Sequence, residues 1–166
     1  MSDSLFCSIR KRRIKASPEE RVRQSLLNYL ILELGYPSHQ ILIEKNINCL
    51  PFYKDPLIRP PCRRLDILIL AKDFYKNPPF FPLVLIECKA TQVNQKAIRQ
   101  VLGYNYFLKA CFVALASPQS LQYGWLDSHQ KFHLKLTSYS LHCFFVLQSL
   151  SKQEVKINQF SIFLPH

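Results

Sequence analysis

The strongest constraint on this chain is a pair of short apolar runs, each broken by charge at one place. The first reads Leu65-Asp66-Ile67-Leu68-Ile69-Leu70, and the second Leu83-Val84-Leu85-Ile86-Glu87-Cys88-Lys89. Short runs of aliphatic residues read as strands. An ionised carboxylate inside such a run is costly to bury unless something compensates it. Side chains alternate faces along a strand, so Glu87 and Lys89 share a face, with Leu85 and Leu83 beneath them. Asp66 shares a face with Leu68 and Leu70. Cys88 points the other way, but its carbonyl stays near the Glu87 face. If the two strands pair, Asp66 and Glu87 meet at one end of the sheet.

Two carboxylates so close repel one another and raise a pKa unless a cation joins them. Mg²⁺, with Mn²⁺ as a substitute, suits that role. It prefers oxygen ligands, retains waters, and needs only one or two carboxylates plus a substrate phosphate. A divalent cation eases deprotonation of a water, which Lys89 can orient, or Lys89 can stabilise charge developing on phosphate. That is the chemistry of phosphodiester hydrolysis. The same residues admit a plainer reading: Glu87 and Lys89 as an edge-strand ion pair, and Asp66 paired with Arg63 or Arg64.

The rest of the chain arranges helices around these strands. Ser17 is a good N-cap, Pro18 fits the first helical position, and Glu20 stands where a capping box needs its acid. Val22, Leu26, Tyr29, Leu30 and Leu34 follow at helical spacing, and Gly35 and Pro37 stop the helix. Arg21 and Arg23 on it either face phosphate or form a solvated surface. Residues 41–47 read as a strand, 51–61 as a proline-rich connection and 76–82 as a turn. Strands are expected over 64–71, 83–89, 111–116 and 131–137, with a helix over 95–109. Residues 139–164 are apolar and assigned to strand. Residues 1–16 form a basic leader expected to be flexible, and 17–166 a single domain. Helix, strands, helix, strand implies an α/β domain with a mixed sheet.

With 22 Lys and Arg against 11 Asp and Glu, the net charge is +11, which favours a polyanionic partner. Arg12 and Arg13, within the run Arg10-Lys11-Arg12-Arg13, and Arg59, Arg63 and Arg64 ahead of Asp66 are the candidate nucleic-acid contacts. The alternatives for them are a solvated tail and local ion pairs. Three glycines leave no room for a glycine-rich phosphate loop, so no nucleotide cofactor is expected. The six cysteines are scattered without a C-x-x-C pair, and the start of the chain has no long apolar segment. Free thiols, a cytoplasmic setting and no membrane partner are the expectations.

The pattern resembles the PD-(D/E)xK nuclease superfamily, and more specifically the N-terminal nuclease domain of type I restriction enzyme R subunits. The matching pieces are Pro18-Glu-Glu-Arg-Val-Arg-Gln24, Leu34-Gly-Tyr-Pro37, Arg64-Leu-Asp66, Leu85-Ile-Glu-Cys-Lys-Ala90 and Gln100-Val-Leu-Gly-Tyr-Asn105, in the family's order over residues 17–116. Leu65 replaces the proline of the superfamily name, a position that is not a ligand. The resemblance implies a restriction-endonuclease-like mixed central sheet flanked by helices. It implies Asp66 and Glu87 as metal ligands with the Cys88 carbonyl as a third, and Lys89 as the catalytic lysine. Gln100 and Tyr104 match a Q-x-x-x-Y element, whose i,i+4 spacing places both on one helix face. Glu20 matches a first-helix acid that can approach the metal, although capping explains the same residue.

The expected function is a Mg²⁺-dependent nuclease acting on DNA, with endonucleolytic cleavage and no motor of its own. RNA stays open because such a site recognises phosphate rather than sugar. The alternative is a catalytically inactive module of the same fold that binds nucleic acid or protein. A partner protein or a homodimer is compatible with either.

Overall fold

Ser17 starts the first helix as its sequence requires. Its backbone is extended, and its side-chain oxygen accepts the Glu20 N–H at 3.2 Å, which satisfies one of the free donors of the first turn. The computed structural model describes residues 3–51, 60–72, 80–126 and 132–137. Helix α1 covers Pro18–Asn28 and continues as a π-helical turn over Tyr29–Glu33. Gly35, at φ +68°, then takes the left-handed conformation that ends it. The widened last turn is the one departure from the regular helix that the spacing predicts.

Among the described residues eight strands accompany it. Strands β1 (Ser4–Cys7) and β2 (Arg12–Lys15) form a hairpin. The others are β3 (Ile41–Ile43), β4 (Ile67–Lys72), β5 (Phe80–Cys88), β6 (Phe112–Ala116), β7 (Leu121–Leu126) and β8 (Phe132–Thr137). These six build one sheet in sequence order, antiparallel throughout except for the parallel β5–β6 pair. A parallel pair needs a crossover, and helix α2 (Gln95–Leu108) supplies it.

Alternation sorts the buried side chains onto two faces. Ile67, Ile69, Ile86 and Ala114 pack with Val22, Leu26, Leu27 and Leu30 of α1. Leu68, Leu70, Leu85, Val113 and Leu115 pack with Ala97, Val101 and Leu108 of α2. The sheet is therefore buried on both sides, which is why its central strands read as unbroken apolar runs.

Four sequence expectations are corrected. First, residues 1–16 are not a loose leader: Cys7 is fully buried in the α1-side core, where Ile9 and Ile14 pack against it. Second, Leu83 does not lie beneath Glu87. Ile69 pairs with Val84 and Leu70 with Pro82, so Leu83 is the extra residue of a β-bulge and joins the α1-side core with Val84. Pro82, which has no N–H to give a ladder, sits beside that bulge. Third, the strand expected over 41–47 stops at Ile43, because Glu44 takes a positive φ of 48° and Ile47–Cys49 form a 3₁₀ turn. Fourth, Phe80–Pro82, expected as a turn, already belong to β5. Strand β7 has no counterpart among the expectations. The 139–164 assignment, Arg59 and most of the 51–61 connection lie outside the described residues. Among the described residues Cys7, Cys49, Cys62, Cys88 and Cys111 are free thiols, and no helix is long and apolar enough to cross a membrane.

Candidate active site

The β4–β5 register pairs Ile67 with Ile86, so one step further brings Asp66 level with Glu87. Both stand where the sheet opens towards α1 on one face and α2 on the other. The Cys88 N–H donates to Asp66 Oδ2 at 2.7 Å, tying the first carboxylate directly to the strand that carries the second.

Glu87 is 5% exposed. Its Oε1 accepts from Lys89 Nζ at 2.9 Å and from Gln100 Nε2 at 2.6 Å. Lys89 Nζ also donates to Gln100 Oε1 at 3.0 Å, and Gln100 Nε2 reaches the Tyr104 hydroxyl at 3.1 Å. Glu87, Lys89, Gln100 and Tyr104 thus form one hydrogen-bonded unit across β5 and α2. The other oxygen, Glu87 Oε2, is buried and accepts no hydrogen bond. Burial, and then the neighbouring charge of Asp66, hold the Glu87 carboxyl above its ordinary pKa, with Lys89 and Arg23 pulling the other way. Burial followed by Asp66 also pushes the Cys88 thiol well up, so it stays protonated and inert.

On the α1 side the partner of Asp66 is Arg23, not Arg63 or Arg64 as the plainer reading had it. Arg23 Nη2 donates to Asp66 Oδ1, and Nη1 to Glu20 Oε2 and, at 3.3 Å, to Glu44 Oε1. Arg23 is 6% exposed, so it is no part of a solvated surface, whereas Arg21 is exposed and pairs with Asp3. Burial opposes the Arg23 charge, but Asp66 and Glu20 outweigh it and its pKa rises on balance. Glu20 is buried as well. Its Oε1 accepts from Gln24 at 2.8 Å, so its carboxylate serves this cluster in place of the capping-box return to Ser17. Arg10, from the tip of the hairpin, pairs with Glu44 and lies 3.7 Å from Glu20.

The remaining candidates lie outside this cluster. Arg12, Arg13, Arg63 and Arg64 are exposed. Arg13 donates to Ser4 Oγ at 3.1 Å, and Arg64 approaches Glu44 at 3.9 Å. Three participants, Arg10, Arg23 and Glu44, were not placed beside Asp66 and Glu87 by the sequence. Glu44 left no signal, because a charge at the end of a short strand looks like any solvent-facing residue until the fold brings its partners.

The donor set fits a hard divalent cation in one respect: the cluster holds a buried carboxylate oxygen with no partner beside a second carboxylate. Among the described residues no three His, Cys, Asp or Glu side chains are grouped to hold a metal ion. Asp66, Glu87 and a backbone carbonyl are a small set, of the kind Mg²⁺ accepts when it keeps waters.

A mixed sheet covered by one helix on each face, with its charge cluster at the open end of β4 and β5, defines a restriction-endonuclease-like α/β domain. Comparison with protein families narrows this. The chain belongs to the family described as Type I restriction enzyme R protein N terminus (HSDR_N), whose model matches residues 18–136. No curated protein and no solved structure matches the chain.

Proposed function

We propose that this domain is a divalent-metal-dependent nuclease that hydrolyses DNA phosphodiester bonds, with endonucleolytic cleavage. The observation that carries the reading is the unpartnered Glu87 Oε2, buried in one cluster with Asp66 and Lys89. Membership of a restriction-enzyme family and the basic charge of the chain support DNA as the partner. Asp66, Glu87 and the Cys88 carbonyl would hold Mg²⁺ or Mn²⁺, which supplies Lewis acidity towards phosphate and a more acidic water.

The chain's own residues supply the rest. Lys89 presents an ammonium whose position is set from two sides, by Glu87 and by Gln100. A fixed cation at this point stabilises charge that develops on phosphate without reorganising during the reaction. Tyr104 anchors Gln100 from the next turn of α2. Asp66 is kept in place by the Cys88 N–H and by Arg23. Exposed Arg12, Arg13, Arg63 and Arg64 contribute non-specific attraction to the nucleic-acid backbone. The direct test is cleavage of plasmid and single-stranded DNA with Mg²⁺ or Mn²⁺ by the wild type beside Lys89→Ala. Cleavage by the wild type alone is expected, and equal cleavage by both sinks the assignment.

One observation favours a second reading, a catalytically inactive binding module. Arg23 on Asp66, and Lys89 with Gln100 on Glu87, already compensate much of the acidic charge without any metal. Thermal stabilisation by Mn²⁺ discriminates, since a ligand that binds only the folded state raises its stability. A nuclease site predicts stabilisation that disappears in Asp66→Ala. Stabilisation that survives the substitution counts against a site there.

A further inference from the structure

One buried cation has so far been given only the task of holding Asp66 in place. The Arg23 guanidinium spans three carboxylates, on Glu20, Glu44 and Asp66, from the two terminal nitrogens of its planar fork. Its Nε is buried without a hydrogen bond, so the group is not locked by every donor it owns. Of its acceptors, Asp66 is the one that would serve a metal. Losing Arg23 from Oδ1 would leave Asp66 still fixed through Oδ2 by the Cys88 N–H.

Glu44 is tied to the same group twice. Its N–H donates to the Asp66 carbonyl at 3.1 Å, and its carboxylate meets Arg23 and Arg10. It does so at φ +48°, a conformation that a glutamate keeps only where its surroundings impose it. Backbone and side chain of Glu44 therefore converge on the pairing between Asp66 and Arg23.

We propose that Arg23 is a positioning residue, the resident counter-cation of Asp66, with Glu20 and Glu44 as its alternative acceptors. It holds Asp66 when no divalent cation is bound, and its guanidinium moves onto Glu20 and Glu44 when one binds. The arrangement rests on the metal reading above. It lowers the affinity for the cation, because Arg23 competes for Asp66 Oδ1, and it spares the acidic cluster from unbalanced repulsion in the metal-free state.

The test is a double-mutant cycle on Mn²⁺ affinity, measured by calorimetry on the full chain, with circular dichroism to confirm folding. Arg23→Met removes the competitor and tightens binding by about tenfold or more. Glu44→Gln, at a half-buried position, removes one alternative acceptor, strengthens the hold of Arg23 on Asp66, and weakens binding by about fivefold. In the Arg23→Met background the Glu44→Gln effect collapses towards unity. If Arg23→Met does not fold, Arg23→Gln, which keeps a polar donor but no charge, replaces it in the cycle with the same expected collapse. An unchanged affinity in Glu44→Gln, or the same weakening in both backgrounds, overturns the proposal and leaves the metal site standing. Absence of Mn²⁺ binding in the wild type overturns both.

Discussion

Replacing Glu87 by glutamine should make the metal-free protein more stable, although the residue is central to the proposed site. The cluster joins four carboxylates, on Glu20, Glu44, Asp66 and Glu87, to the buried or half-buried cations Arg10, Arg23 and Lys89. The exposed Arg64, 3.9 Å from Glu44, adds only a weak contact to the fourth. Glu87 is the deepest of them, with one oxygen buried and unpaired. An ionised acceptor left in that state costs about 1–3 kcal/mol. The amide still offers an oxygen to Lys89 and Gln100, and its NH₂, in the place of Oε2, is favoured by the neighbouring Asp66 charge that the carboxylate opposes. The expected gain is about 1–3 kcal/mol, or roughly 3–9 °C in Tm for a chain of this length.

The pH dependence follows from the sign of the shift. The folded Glu87 carboxyl has a raised pKa, so the unfolded chain loses this proton first as pH rises. Wild-type stability therefore falls as pH climbs from the ordinary glutamate value through the raised one. The advantage of Glu87→Gln should be complete above that window and absent below it. Urea melts at acidic and at mildly alkaline pH, with chelator present, measure it. A variant less stable than wild type at the higher pH, or an advantage of equal size at both, would refute the charge imbalance.

Three other perturbations probe separate parts of the molecule. Gln100→Ala frees one side of Lys89, and DNA cleavage should fall about tenfold or more at saturating Mg²⁺ while the melting temperature changes little. Deleting residues 1–16 removes the buried Cys7 and the Arg10 pairing, so urea unfolding should show a loss of at least about 2 kcal/mol; a dispensable leader would show none. Arg12→Ala with Arg13→Ala should weaken DNA binding evenly across sequences. It should also reduce the slope of log affinity against log salt by about one for each phosphate no longer neutralised, measured by fluorescence anisotropy.

What the sequence made legible is what local chemistry encodes. The Ser17 cap, the Gly35 stop, the helix over 95–109 and the paired apolar strands each depend on residues close in the chain, and each appears within a few positions of its expected place. Strand β7 also had a signal, the alternation of Leu121, Tyr123 and Trp125 towards the α1-side core, diluted by Gln122 and Gly124 between them. The hairpin was hidden by its composition: its strands are only four residues long and the second, Arg12–Lys15, is mostly basic, so it looks solvated until Cys7 and Ile14 find the core. The bulge at Leu83 reversed one facing assignment because alternation counts residues and cannot see an extra one.

The charge network was the least legible part, for a physical reason. Pairing between Arg23 and Asp66, or between Arg10 and Glu44, joins residues 43 and 34 positions apart, and such pairs leave no period in the chain. Their significance lies in the order of assembly. Burying Glu20 and Glu87, with Asp66 half-buried between them, is tolerable only if cations arrive with them, and Arg23 comes on the same helix as Glu20 while Lys89 directly follows the strand that carries Glu87. Glu20 and Glu87 thus bring their own compensation into the folded state, while Asp66 and Glu44 share the cations of α1 and the hairpin. That explains how a sheet can bury this much negative charge before any ligand binds. It also explains why the least compensated atom, Glu87 Oε2, is the place where an added cation has most to offer.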